Sequence, residues 1–173
     1  GAMEAAMWSL LGERGVDVFG WDVFGNRWIL DAREELKLQD LRIFQEKAGT
    51  LPDLSEYDGK RDAIFTLNGT AAGVWIPGYD WIDADREGLT ICDATSGAFA
   101  VDIDWSKIDV LTFSWQKCLG GEAQHGMLIM GPRAIARLNS YKPSWPIPGL
   151  FALHKGDQAN MQVYAGSTLN TPA

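Results

Sequence analysis

The sequence predicts an α/β fold, a three-layer sandwich built around a mixed, mostly parallel sheet. Short apolar segments enriched in β-branched and aromatic residues recur along the chain, and helical segments or long connections separate them. This alternation is typical of parallel strands joined by crossovers. The 173 residues and the hydrophobic content of 46% are sufficient for one domain with a substantial core.

Three segments carry helix signals and six carry strand signals. Residues 3–11 have a helical apolar face, Asn26 is a predicted cap for a helix over 26–36, and Pro132 occupies a predicted first helical position. The predicted strands are residues 16–21, 41–44, 62–67, 89–92, 110–115 and 127–130.

Composition and charge disfavour several classes of function. The net charge of −8 without a basic stripe argues against nucleic-acid binding, which depends on neutralising phosphates. No apolar run approaches the roughly 20 residues of a membrane span, and no basic segment followed by an apolar one indicates secretion. His125 and His154 lack metal-ligand spacing. Cys92 and Cys118 are predicted to be reduced, buried residues of a cytosolic protein.

The most informative stretch for chemistry is residues 110–121, where an apolar strand is followed by a lysine and a glycine pair. A lysine at the end of a core strand is costly to desolvate unless its charge is paired or its proton is lost. An uncharged amine is what imine formation with a carbonyl requires. The alternative is that Lys117 reaches solvent through its long aliphatic stem.

Polar side chains follow several predicted strands, and open α/β sheets bind ligands outside the carboxyl ends of their strands. Thr70, Asp93, Ser96 and Lys117 occupy such positions. The chain between Asp93 and Lys117 is long enough for a crossover of about a dozen residues or more, which would place both groups on one rim. The pair predicts a salt bridge, a helix cap by Asp93, or a pyridoxal-phosphate site in which the acid pairs with the ring nitrogen.

An ordered set of motifs makes the third interpretation specific, because the set resembles the phosphoserine aminotransferases. These are class V members of the fold-type-I pyridoxal-phosphate-dependent transferases, and the resemblance covers essentially the whole chain. The matching segments are FTLNGT (65–70), ADREGLT (84–90), ICDATS (91–96), TFSWQKCLGG (112–121), GMLIMGPRA (126–134) and TLNTP (168–172).

The resemblance implies a role for each of five residues toward pyridoxal 5′-phosphate. Lys117 resembles the lysine that holds the cofactor covalently and then acts as general acid and base, and Asp93 resembles the partner of the ring nitrogen. Thr70 resembles the hydroxyl near the ring 3′-oxygen, and Gln116 a ligand of the cofactor phosphate. Phe24 stands where the family stacks an aromatic ring on the cofactor, with core packing as the alternative.

Four further residues match phosphate-binding positions of the family. Gly1 and Ala2 resemble the start of a helix whose N-terminal amides bind the cofactor phosphate. The alternative is that residues 1–3 are the remnant of an expression tag. Asn170 and Thr171 resemble a pair that reaches the cofactor phosphate of the neighbouring subunit, which implies a homodimer.

The resemblance implies cytoplasmic transamination of 3-phosphohydroxypyruvate with glutamate, which gives phosphoserine and 2-oxoglutarate in serine biosynthesis. It also implies that residues 1–173 are a single, partial cofactor-binding large domain. The family's N-terminal segment, its C-terminal small domain and the arginine that grips the substrate carboxylate are missing, so impaired activity is expected. The family's substrates are small molecules, with no nucleic acid and no membrane involved.

Two other functions stay open at this point. One is another class V aminotransferase, of the alanine/serine–glyoxylate type, because substrate choice depends partly on the missing segments. The other is a non-catalytic α/β scaffold fragment. Cysteine desulfurases and the decarboxylase-like relatives usually have histidine before the lysine, whereas this chain has Gln116, which favours an aminotransferase.

Overall fold

A six-stranded mixed sheet forms the centre of the computed structural model, which describes residues 1–123, 125–155 and 158–159. The strand order is β2-β1-β3-β6-β7-β8. In chain order the strands are β1 (Val16–Gly20), β2 (Leu41–Gln45), β3 (Asp62–Thr66), β4 (Asn68–Gly69), β5 (Val74–Trp75), β6 (Thr90–Asp93), β7 (Val110–Ser114), β8 (Gly126–Met130), β9 (His154–Lys155) and β10 (Gln158–Ala159).

Five of the six central strands run parallel, and β8 pairs antiparallel with β7. All six predicted strands are confirmed within one or two residues of their predicted ends. The parallel register aligns Thr66 with Asp93 and Asp93 with Thr112. The carboxyl ends of β3, β6 and β7 therefore meet at one edge of the sheet.

Three helices pack on one face of the sheet: α1 (Ala2–Leu10), α2 (Val23–Leu30), which continues as a π-helix over Asp31–Glu35, and α3 (Pro132–Ser140). Pro132 is in the first turn of α3, as predicted. Side chains alternate between the two faces, so Val18 and Ile64 contact the helices while Phe19 and Phe65 belong to the opposite core.

The opposite face of the sheet has a core of its own, which includes Trp21, Ile82 and Leu111. Irregular segments and a 3₁₀ turn at Leu54–Glu56 contribute to it. The predicted three layers are therefore present, but the second outer layer consists largely of irregular chain. Cys92 belongs to this core, whereas Cys118 is exposed; the prediction that both cysteines are buried was wrong for Cys118, because β7 ends at Ser114.

The helix predicted to begin at Asn26 begins one turn earlier. Asp22 is the N-cap of α2, and its Oδ1 accepts hydrogen bonds from the N–H groups of Phe24 and Gly25, both at 3.0 Å. The Oδ1 of Asn26 is buried without a hydrogen-bond partner among the described residues. The helix begins at the earlier cap because Asp22, two residues after β1, accepts hydrogen bonds from otherwise unpaired amides of the first turn.

Buried aspartates near the amino ends of the strands are paired with arginines. The groups are Asp17 with Arg42 and Arg61, Asp62 with Arg137, and Asp109 with Arg86 and Arg133. The fully buried Asp62 carboxylate accepts from Arg137 Nη1 at 2.9 Å and from the Leu89 N–H at 2.8 Å. Arg137 also donates to the Leu10 carbonyl at 3.1 Å. This arginine thus connects α3, α1 and β3.

No helix in the described part of the chain is both long and apolar enough to span a membrane.

We predict that Arg137→Met lowers the free energy of unfolding by about 3–5 kcal/mol, because it leaves the buried Asp62 carboxylate without its partner. Urea denaturation measures the change. The double variant Asp62→Asn/Arg137→Met should recover part of the loss. Arg33→Met is the control: it removes a pair whose side chains are 49% and 60% exposed and should cost less than about 1 kcal/mol. Equal losses for both single variants would contradict the prediction.

Candidate functional site

A cleft of about 480 Å³ lies at the carboxyl edge of the sheet, on the helical face. Its floor includes Thr66 and Asp93, which end β3 and β6, and Thr112 in the middle of β7, and the three residues align in register. Its walls include the first turns of α1 and α2. The cleft therefore lies where open α/β sheets bind ligands.

The cleft brings together every candidate site residue that the structure describes. These are Gly1, Ala2, Phe24, Thr70, Asp93, Gln116 and Lys117. The remaining two candidates, Asn170 and Thr171, lie outside the described residues. In particular, the candidate acid and the candidate amine border the same cavity, as parallel β6 and β7 require.

Asp93 is the acidic group at the floor of the cleft, and its side chain is held from two sides. It ends β6 and is only 7% exposed. Oδ1 accepts from the N–H of Thr95 at 3.0 Å and from its hydroxyl at 2.5 Å. Oδ2 accepts from the indole N–H of Trp28 on α2 at 3.0 Å. No salt bridge joins Asp93 to a described residue, so the structure does not support the salt-bridge alternative for Asp93 and Lys117.

Two opposing effects set the acidity of Asp93. Burial raises the pKa of this carboxyl above its ordinary value of 3.8, and the hydrogen bonds from Thr95 and Trp28 act against that rise. The nearby Asp22 carboxylate adds to the rise. A bound cation beside Asp93 would relieve the cost of its burial.

Lys117 lies in the turn after β7 rather than at the end of the strand, and it is exposed. Of the two interpretations of this lysine, the structure favours the one in which the amine reaches solvent, because the strand ends at Ser114. The glycine pair shapes the turn. Gly120 has φ +68°, and the Gly121 N–H donates to the Trp115 carbonyl at 2.8 Å. The turn keeps Lys117 at the border of the cleft.

Thr70 and Gln116 place further polar groups on the cleft. Thr70 follows the short strand β4, and its hydroxyl oxygen is 2.8 Å from that of Ser96. Gln116 contacts the Ser114 hydroxyl through its side-chain oxygen. Each side chain thus has a hydroxyl partner, and the cleft that Lys117 and Asp93 border also contains hydroxyl and amide groups.

The two helix N-termini supply an aromatic ring and unpaired backbone amides. Phe24 is 50% exposed and lines the cleft, which disfavours the core-packing alternative. Gly1 and Ala2 lie at the start of α1, where the first N–H groups have no partner within the helix. Glu4 in the first turn of α1 also lines the cleft.

Sequence reasoning did not assign several residues that line the cleft, among them Arg27, Trp28 and Thr66. Trp28 follows Phe24 by one helical turn, and recognising Asp22 as the cap would have placed both on one face of α2. Thr66 is 2% exposed, and its hydroxyl has no hydrogen-bond partner among the described residues. A buried hydroxyl of this kind is expected to have a partner, so the cleft has an unused polar group on its floor.

Two curated relatives match the chain over its whole length. The phosphoserine aminotransferases of Methanosarcina mazei and Methanosarcina barkeri are 55% and 54% identical to it over 173 residues. The alignments cover 100% of this chain and 47% of each relative. The chain belongs to the phosphoserine aminotransferase family. It spans about half the length of the curated relatives it matches. No family model matches it.

Solved structures share the fold. A phosphoserine aminotransferase from Cytophaga hutchinsonii superposes with a TM-score of 0.73 at 21% identity, covering 99% of this chain and 48% of that one. The alanine–glyoxylate aminotransferase from Nostoc sp. superposes with a TM-score of 0.73 at 22% identity, covering 99% and 47%. These similarities confirm the predicted fold class.

For this member of the phosphoserine aminotransferase family, we predict that Asp22→Ala lowers the free energy of unfolding by about 1–2 kcal/mol, because α2 loses its cap. Asn26→Ala, at the cap position that the sequence suggested, should change it by less than about 0.5 kcal/mol. Chemical denaturation of both variants gives the comparison. A larger loss for the Asn26 variant would contradict the assignment of the cap.

We also predict a pH dependence of stability from Asp93. Its raised pKa means that the folded chain binds this proton more tightly than the unfolded chain. The free energy of unfolding of the wild type should therefore fall, relative to that of Asp93→Asn, as pH rises from 3.8, the ordinary pKa, through the raised pKa of Asp93. Urea denaturation of the cofactor-free proteins between about pH 4 and 7 tests this window.

Asp53 provides a control of opposite sign for that experiment. Hydrogen bonds from the Ser55 side chain and backbone lower the pKa of this exposed carboxyl. Its contribution to stability is present above the ordinary value and is lost as pH falls through the lowered one. The free energy of unfolding of the wild type should therefore increase relative to that of Asp53→Asn as pH rises. A change in the same direction for both aspartates would contradict the assigned pKa shifts.

Proposed function

We propose that this chain forms the cofactor-binding part of a phosphoserine aminotransferase and that its cleft binds pyridoxal 5′-phosphate. The observation that carries the proposal is the arrangement of Asp93 and Lys117. A buried carboxylate that has no cationic partner among the described residues and an accessible amine border one cavity, in a chain 55% identical to a curated phosphoserine aminotransferase.

The groups that line the cleft fit this cofactor. A protonated ring nitrogen would give Asp93 the positive charge that it lacks. The first turn of α1 offers amide N–H groups to a phosphate, and the exposed ring of Phe24 offers a stacking surface. The unpartnered Thr66 hydroxyl on the floor adds a donor and acceptor for a polar ligand atom or water.

Bound pyridoxal phosphate supplies an electron sink for negative charge at the substrate carbon that bears the amino group. In our proposal Asp93 keeps the ring nitrogen protonated, so that the sink stays effective. Lys117 would hold the cofactor covalently, and its amine would act as the acid and base for the proton at that carbon. Thr70 would lie near the ring 3′-oxygen, while Gln116, Gly1 and Ala2 would bind the phosphate.

For the whole protein we propose amino transfer from glutamate to 3-phosphohydroxypyruvate, which yields 2-oxoglutarate and phosphoserine and serves serine biosynthesis in the cytoplasm. Residues 1–173 would be a partial large domain of a homodimer, in which Asn170 and Thr171 reach the partner's cofactor phosphate. Arg27 and Lys117 are the basic side chains among the described residues that line the cleft. Residues elsewhere in the protein would therefore supply most of the charge that binds these anionic substrates.

The substrate proposal depends on the curated relatives rather than on the fold. The alanine–glyoxylate aminotransferase from Nostoc sp. shares the fold at 22% identity, which carries no argument about substrates. In the whole protein, glutamate should therefore transfer its amino group to 3-phosphohydroxypyruvate much faster than alanine transfers its own to glyoxylate. The reverse preference would overturn the substrate proposal and leave the cofactor proposal in place.

We predict that adding pyridoxal phosphate to the chain produces the visible absorbance of a lysine–cofactor imine and that Lys117→Ala abolishes it. Lys117 is the amine that borders the cleft. Lys60→Ala is the matched control, because Lys60 is an exposed lysine directly before the amino end of β3; it should leave the absorbance unchanged. Absorbance that survives Lys117→Ala, or none with the wild type, would favour the non-catalytic scaffold.

A further inference from the structure

The helix α2 provides two aromatic residues to the cleft, and the surroundings of their rings differ. Phe24 lies in its first turn with its ring half exposed, and Trp28 lies one turn later and is half buried. The indole N–H of Trp28 donates to Asp93 Oδ2 at 3.0 Å. A single helical turn therefore connects the candidate stacking ring to the acid at the end of β6.

The hydrogen bond from Trp28 fixes the orientation of the Asp93 carboxylate together with the bonds from Thr95. Thr95 donates only to Oδ1, through its N–H and its hydroxyl. Thr95 is two residues from Asp93, so its bonds hold the acid to its own loop. Trp28 donates to the other oxygen from a separate element, and donors on both oxygens determine the plane of the carboxylate.

We propose that Trp28 is a positioning residue for this site: its indole N–H orients the Asp93 carboxylate toward the cleft and keeps it charged for the cofactor's ring nitrogen. This inference rests on the proposed function for the part that concerns the cofactor. The contact itself does not depend on the cofactor and can be tested in the chain alone.

The surroundings of Asp93 explain why a neutral donor has this effect. Asp22 at the start of α2 opposes a second negative charge nearby, and its side chain is buried. Arg27 on α2 and Lys117 after β7 border the same cleft, but neither forms a described salt bridge with Asp93. Hydrogen bonds from Thr95 and Trp28 therefore favour the charged form in place of an ion pair.

The variant Trp28→Phe removes the indole N–H and keeps an aromatic ring. In the cofactor-free chain labelled with ¹³C at aspartate Cγ, NMR follows the titration of Asp93, and Asp93→Asn identifies its signal. We expect Trp28→Phe to move the titration midpoint upward by about one pH unit, which corresponds to about 1.4 kcal/mol. An unchanged midpoint would overturn the inference.

Trp145→Phe is the matched control. Trp145 donates its indole N–H to the Trp8 carbonyl at 2.9 Å and does not line the cleft. This variant also loses one indole hydrogen bond, but the Asp93 midpoint should stay where it is in the wild type. An equal shift in both variants would mean that the effect is a general loosening of the fold, and the inference would fail.

The unmodified chain offers a test that does not depend on folding of a variant. With ¹⁵N-labelled tryptophan, one indole N–H signal should titrate with the midpoint of Asp93 and lose that titration in Asp93→Asn. Absence of any such indole signal would contradict the contact.

A second arm measures the affinity for pyridoxal phosphate, which should fall about tenfold in Trp28→Phe and not in Trp145→Phe. If the wild type forms no Lys117-dependent absorbance, the proposed function fails, whereas the titration result stands. If absorbance forms but Trp28→Phe changes neither the midpoint nor the affinity, the positioning role fails and the proposed function stands.

Discussion

The chemistry of the cleft depends on one carboxylate, Asp93, which is buried and has no cationic partner among the described residues. Asp93 is 7% exposed at the end of β6, and hydrogen bonds from Thr95 and Trp28 take the place of a counter-charge. Burial of such a group raises its free energy unless a positive partner arrives. The residue whose burial costs stability is thus the one that would favour binding of a protonated heteroaromatic ring.

Buried aspartates have different partners at the two ends of the parallel strands. Near the amino ends of the strands, Asp17, Asp62 and Asp109 each have arginine partners and tie helices and strands together. At the carboxyl edge, the described donors to Asp93 are the neutral residues Thr95 and Trp28, and Lys117 stays exposed. The ion pairs near the amino ends stabilise the fold, whereas at the carboxyl edge an acid and an amine remain available for a ligand.

Periodicity and strand-end reasoning predicted the strands and predicted that Asp93 and Lys117 lie at the same rim of the sheet. Both predictions succeeded because strand alternation and parallel pairing follow local rules. The start of α2 was predicted wrongly, since Asp22 and Asn26 are both good cap residues and only the end of β1 decides between them. Trp28 could not be assigned until that start was known. The arginine partners of Asp62 and Asp109 depend on contacts between distant segments, which a single sequence does not reveal.

The most direct test of the account is to trap the cofactor on the protein. Borohydride reduction of the chain incubated with pyridoxal phosphate fixes the imine, and mass spectrometry of its peptides locates the modified lysine. The account predicts the phosphopyridoxyl group on Lys117, with much weaker labelling when Asp93 is replaced by Asn. Modification spread over surface lysines, or independent of Asp93, would contradict it.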